Sequence, residues 1–158
     1  SVAEYLGKSV LREVDEDEFM KNIADIRSSC GDRAVLRAMH FYGDNARVEK
    51  QAAALKAGDF ETFKKYIIES GRSSYMYNQN VYSCKKASEQ PVSLALSLSE
   101  KLLDGCGAWR VHGGGFAGTI QAFVPLNKLD EYKDLMEKVF GSGSCYILSV
   151  RPVGGVEL

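Results

Sequence analysis

Between Ala108 and Pro125 two short apolar segments flank a loop holding Gly113, Gly114, Gly115 and Gly118, and no other stretch limits the fold so tightly. Trp109 and Val111 before the loop, and Ile120, Ala122 and Val124 after it, recur at every second position, the period of a strand. The spacing predicts a strand, a reversal and a second strand. A tight hairpin needs only one or two glycines. Four of them strip side chains from the backbone, permit positive φ and leave N–H groups open to a ligand or anion. Gly113, Gly114, Gly115, Phe116, Ala117 and Gly118 are therefore the candidate ligand-facing residues, with His112 as an accessory group beside them.

Gly113 to Gly118 formally fits G-x-G-x-x-G. A dinucleotide site requires that loop to open a helix whose N-terminus receives the pyrophosphate, whereas Thr119 to Val124 reads as strand. Protein kinases place such a loop between strands, but the V-A-x-K, H-R-D and D-F-G elements do not follow. A P-loop needs Lys before Thr119, where Gly118 stands.

Upstream of the loop the period is helical. Asp15 and Glu18 form a capping-box pair before a helix whose face carries Phe19, Ile23 and Ile26, and Gly31-Asp32 ends it and caps the next. The second helix has Leu36, Met39, His40, Gly43, Ala46 and Ala53 along one stripe, and its small residues predict close packing against a neighbour. Gly43 there costs about 1 kcal/mol of helix propensity. Gly58 ends this helix, and Asp59 caps a third bearing Phe60, Phe63, Ile67 and Ile68. Tyr75 to Tyr82 has no clear period. Pro91 suits the first turn of a fourth helix with Leu94, Leu98 and Leu102 as its apolar stripe. After the hairpin, Leu126 to Phe140 returns to helix, with Leu129, Tyr132, Leu135, Met136 and Val139 inward. Gly141 to Ser144 turns the chain into a final strand, Cys145 to Val150. With a first strand near Val10 to Val14, the order is that of a ferredoxin-like βαββαβ sandwich with an added helical region, an α+β fold in one domain over residues 1–158.

Twenty Lys and Arg against 21 Asp and Glu leave a net charge of −1, without the basic excess of a nucleic-acid or anionic-membrane binder. No apolar run is long enough to span a bilayer and no signal-peptide pattern opens the chain. Cys30, Cys84, Cys106 and Cys145 lie far apart without C-x-x-C spacing, which argues against zinc and for reduced thiols in a cytoplasmic setting. His40, on an apolar helical stripe, reads as a hydrogen-bonded core histidine, and Trp109 as packing. Arg110 is expected to pair with a surface carboxylate, and the Asp15–Glu18 run reads as helix capping and not as a metal site.

The glycine loop also resembles the third motif of the GHMP small-molecule kinases, and specifically of the galactokinases, S-R-M-T-G-G-G-F-G-G-C-T. Arg110, Gly113, Gly114, Gly115, Phe116 and Gly118 match it, with Ala117 in place of a Gly and His112 where Thr is common. Upstream, Leu6-Gly7-Lys8 with Leu11-Arg12-Glu13-Val14 resembles L-G-K-x-x-L-R-E-V, and Arg37 to His40 resembles R-A-x-H. Ala54 to Phe60 with Phe63 is similar to A-L-x-x-G-D-x-x-x-F, and Glu69-Ser70 to E-S. Gly71 stands where His is usual, and Tyr77 to Tyr82 departs from Y-E-V-S-C-P-E-L.

The resemblance implies the C-terminal domain of an ATP- and Mg2+-dependent kinase acting on galactose or a related sugar. The sugar motif, phosphate loop and catalytic Asp of that family belong to an N-terminal half, so no catalytic or metal-binding residue is assigned in this chain. The loop from Gly113 to Gly118 is then one wall of a cleft whose other wall is the missing N-terminal domain, and the chain alone is expected to be inactive. Two other readings stand beside it: a free-standing ferredoxin-like module that binds a small metabolite without chemistry, and an interaction domain whose loop meets a partner protein.

Overall fold

The computed structural model describes residues 1–116 and 118–150. The first helix, α1 (Val2–Tyr5), is followed by a 3-10 turn at Leu11–Glu13. That turn takes the place of the strand expected over 10–14: Glu13 and Val14 N–H groups donate back to Val10 and Leu11 carbonyls, three residues earlier. Asp15 then caps α2 (Glu16–Lys21), its Oδ1 accepting the Asp17 N–H at 2.9 Å. The expected single helix is two. Asn22 donates its side-chain amide to the Glu18 carbonyl at 2.8 Å, a local bond that competes with the helical ladder. The chain restarts as α3 (Ile23–Cys30). Phe19 and Ile26 are buried together with Val2, Val14, Val35 and Ala38, and Ile23 packs on their edge.

Gly31, at φ 84°, redirects the chain into α4 (Asp32–Lys56), whose 25 residues span about 37 Å. The stripe this helix buries is Val35, Ala38 and Ala54. It is rotated from the expected one: Met39, Ala46 and Ala53 are exposed, while Leu36, His40 and Gly43 are half-buried. The rotation follows from two partners. Val35 and Ala38 pack with Phe19 and Ile26 beside α1 and α3, and His40 of the same half meets Ser73 of α5 (Phe60–Ser73). Ala54, near the far end, packs on Phe63 and Ile67 of α5. The size of Gly43 predicts a seat for a neighbouring helix, but the nearest atoms a Cβ there would meet belong to the Arg47 guanidinium, at an ordinary contact distance of 3.4 Å. Arg47 in turn pairs with Asp44 at 3.2 Å.

Asp59 caps α5 by accepting the Thr62 N–H at 3.0 Å. Phe63 and Ile67 are buried against Ala54 and Ala108, whereas Phe60, at the first position of the helix, is half exposed and lays its ring on Phe63 and Phe123. The α4–α5 seam is polar. The Ser70 hydroxyl donates to Asp44, and His40 Nδ1 lies 2.9 Å from the Ser73 hydroxyl. His40 is thus hydrogen-bonded and half-buried, as expected.

A π-helical turn (Ser74–Asn78) ends α5, and Gln79 at φ 54° closes it. The next helix, α6 (Pro91–Leu103), begins with proline as the sequence predicts but buries Val92, Leu96, Ser99 and Leu103. Of the expected stripe, Leu94 is exposed and Leu98 and Leu102 are only partly covered. Burial here is set by the sheet on one side and α7 (Leu129–Phe140) on the other. Ser99 enters the core because its hydroxyl meets the Tyr132 hydroxyl of α7 at 2.8 Å. In α7, Tyr132 and Met136 are buried and Val139 is 43% exposed. Leu126, expected inside this helix, lies in a preceding 3-10 turn and is 89% exposed.

The sheet has two strands, β1 (Ala108–Val111) and β2 (Ile120–Phe123), antiparallel with Val111 opposite Ile120. Cys145 to Val150 forms no ladder with any described residue, and Tyr146, Ile147, Leu148 and Val150 are exposed. A strand exists only where a neighbour takes its N–H and C=O groups, and apolar β-formers alone do not supply one. The fold of the described residues is therefore α+β with a small antiparallel sheet, and the βαββαβ order is not formed among them. Cys30, Cys84, Cys106 and Cys145 are all unpaired, and among the described residues no helix is long and apolar enough to cross a membrane.

Burial lowers the pKa of His40 from the ordinary 6.5, with Asp44 opposing and the Arg47 and Arg110 charges adding to the effect. The native state therefore binds this proton less readily than the unfolded chain, and protonation favours unfolding. Thermal melts are expected to show stability lost as pH falls below about 6.5, down to the native pKa, with a weaker loss in His40→Gln.

Candidate functional site

The glycine loop hangs from the end of β1. One further ladder bond, from the His112 N–H to the Thr119 carbonyl at 3.0 Å, carries the pairing a step beyond the strands. The Gly115 N–H then donates to the His112 carbonyl at 3.4 Å, and the Gly118 N–H to the Gly115 carbonyl at 3.0 Å. These turns place Gly113, Gly115 and Gly118 at φ 57°, 87° and 87°. Such values favour glycine over any L side chain. The hairpin predicted for this stretch is present, and its glycines serve turning at three of the four positions. Gly114 is different: its φ is ordinary and a Cβ there would meet nothing within 4 Å.

Gly113, Gly114, Gly118 and Phe116 are exposed, Phe116 by 60% of its surface, and Gly115 is buried. Ala117 lies outside the described residues. His112 is exposed at the mouth of the loop. An exposed phenyl ring beside bare backbone can cover an apolar ligand face while amides meet its polar groups.

What lies under the loop was not legible in the sequence. Asn80 is 3% exposed, and its Nδ2 donates to the Gly114 carbonyl at 3.2 Å. A Cβ on Gly115 would collide with the Asn80 carbonyl oxygen and come within 2.7 Å of Nδ2. Asn80 follows the π-turn directly, and that turn is held by α4: Arg37 Nε donates to the Asn78 carbonyl at 3.1 Å, and Arg33 to that of Gln79 at 3.4 Å. The contact between Asn80 and Gly114 spans 34 residues, which no local period reports.

Behind the loop, Trp109 is 7% exposed and belongs to the core. Arg110 pairs with no carboxylate among the described residues; its Nε donates to the Val111 carbonyl at 3.1 Å. Its Cα and Cβ pass over Gly71, where a Cβ would sit 3.0 Å from the Trp109 carbonyl oxygen and 3.1 Å from Arg110 Cβ. Gly71 thus lets α5 approach β1 by backbone contact. Asp15 acts as a cap, and among the described residues no three His, Cys, Asp or Glu side chains come together as metal ligands would.

Two shallow surface depressions lie apart from the loop. One of about 410 Å³ is bounded by Arg12, Asp15, Tyr42 and Asn45, and one of about 910 Å³ by Lys85, Lys86, Leu94 and Phe140. Both are wide open to solvent, and neither is lined by Gly113 to Gly118. Among the described loop residues, only Gly115 is buried; Gly113, Gly114, Phe116 and Gly118 face solvent.

No protein-family model matches the chain. Among individual proteins, it is 31% identical to the galactokinase of Homo sapiens over 157 residues, 99% of this chain and 37% of that protein. It is 31% identical to the galactokinase of Bos taurus over 147 residues (92% and 34%), and 24% identical to that of Mannheimia succiniciproducens over 136 residues (86% and 33%). The chain is galactokinase-like over nearly all of its length and spans about a third of the length of these curated relatives.

Gly115→Ala is expected to cost about 2 kcal/mol or more in denaturant unfolding, from positive φ and the clash with Asn80. Gly114→Ala should stay within about 0.5 kcal/mol of the parent. Equal costs would mean that the contact beneath Gly115 does not hold the loop.

Proposed function

From that kinship we propose that this chain is the C-terminal domain of a galactokinase-like enzyme of the GHMP kinase class. The intact protein would transfer the γ-phosphoryl group of ATP to the anomeric hydroxyl of galactose or a related sugar. The observation that carries the reading is the likeness to galactokinases over 99% of the chain, with the glycine loop between two strands. In such a transfer the sugar hydroxyl oxygen bonds to the γ-phosphorus. The bond from that phosphorus to the β–γ bridging oxygen breaks, ADP leaves, and the hydroxyl proton passes to a base. Catalysis is mostly positioning and charge stabilisation.

This chain's part is the positioning of one cleft wall. Gly113, Gly114, Gly115, Phe116, Ala117 and Gly118 would lie along the sugar and the phosphate-binding segment of the N-terminal domain. Backbone without side chains allows close approach. His112, exposed at the loop entrance, would stand at the rim of the cleft. Mg2+ accompanies ATP in this chemistry, and on the galactokinase resemblance its protein ligands are assigned to the N-terminal part of the enzyme. The base and the phosphate loop are assigned there as well. Within the complete enzyme the segment Cys145 to Val150 would find the strand partner that it lacks among the described residues, extending the two-stranded sheet.

The purified chain alone should release no ADP from ATP and galactose. Joined to the N-terminal part of a related galactokinase, it should support galactose-dependent ADP release. Turnover by the chain alone would overturn the domain assignment, and ligand binding without turnover in the joined protein would favour a metabolite-binding module.

A further inference from the structure

We propose that Asn80 is a positioning residue that sets the conformation of the glycine loop, and that α4 anchors it through the end of α5. Asn80 is buried although polar, and both its main chain and its side chain bear on two consecutive loop glycines. Its Nδ2 holds the Gly114 carbonyl, while its own carbonyl and carboxamide occupy the space a side chain at 115 would need. The loop is thus fixed from below at its middle, not only at its strand ends.

The post has a rigid base. Gln79, just before Asn80, is the one described non-glycine residue at positive φ, so the chain bends sharply into the contact. The carbonyls of Asn78 and Gln79, left over at the end of the π-turn, are taken by Arg37 and Arg33 of α4. Cationic side chains suit the negative end of a helix. Val81, next to Asn80, is buried with Trp109 and Val111, which ties the same segment to β1. Loop, post and core are therefore in continuous contact. The Oδ1 of Asn80 is buried and has no hydrogen-bond partner among the described residues, so Nδ2 carries the directional contact.

The consequence for catalysis rests on the kinase reading given above, but the placement of the loop does not. Hydrogen exchange of the 158-residue chain tests it, comparing the parent with Asn80→Ala and Asn80→Ser. The Gly115 and Gly118 amides, which close the loop turns, are expected to exchange about tenfold faster or more in both variants. The Ile67 and Leu103 amides, inside α5 and α6 with buried side chains, should change by less than about twofold. Gly115→Ala, which disrupts the contact from the loop side, should give the same pattern. Unchanged loop amides would overturn the proposal. Equal acceleration of loop and core amides would also overturn it, because Asn80 would then be a general core residue. In the joined enzyme, Asn80→Ser should raise KM for sugar or ATP more than it lowers kcat. Failure of that arm alone, with the exchange pattern intact, would count against the kinase reading and leave Asn80 as the post of the loop.

Discussion

At three glycines around the hairpin, where main chains meet, a methyl group would be crowded at Gly71 and would clash at Gly107 and Gly115. At Gly71, α5 lies on the Trp109 carbonyl and the Arg110 backbone. At Gly107, just before β1, a Cβ would sit 2.6 Å from the Phe123 carbonyl and 3.0 Å from Leu103 Cβ. At Gly115, the loop rests on Asn80. Backbone seated on backbone has no rotamers with which to relax, so a shift at any one of these points is passed to its neighbour. The hairpin therefore has one position relative to α5 and α6, and the exposed face of the loop inherits it.

The apolar core supports that seat from behind. Val111 and Leu103 are fully buried among Val81, Val92, Leu96, Trp109, Tyr132 and Met136. The Ser99–Tyr132 bond locks α6 to α7 inside this cluster and satisfies both hydroxyls. A second cluster, around Phe19, Ile26 and Val35, stabilises α1 to α4. Between the two, α4 and α5 join through Asp44, Ser70, His40 and Ser73 rather than through apolar contact alone. This polar seam is where protonation reaches the fold, and Arg33 and Arg37 extend it toward the loop.

Features with a local cause were legible in the sequence. Asp15, Asp59 and Pro91 start helices where their capping or φ preferences place them, and the hairpin stands where the strand period and glycines put it. Which face each helix buries was less so. In α6, Leu94, Leu98 and Leu102 form the most apolar line, yet Ser99 goes inward because a partner hydroxyl waits on α7. In α4, the partner changes along 25 residues, and no single stripe serves both. The strands expected over 10–14 and 145–150 failed for a different reason: pairing is a property of two segments, and neither finds its second among the described residues. Asn80 was hidden for the same reason, since its meaning lies 34 residues away.

The most direct measurement is a crystal structure of the joined enzyme with galactose and a non-hydrolysable ATP analogue. Gly113 to Gly118 is expected along one wall of the occupied cleft, with loop backbone in van der Waals contact with the sugar or the phosphate-binding segment. Asn80 should remain beneath Gly115. Sugar and nucleotide bound elsewhere, with the loop facing open solvent, would contradict this role for the loop.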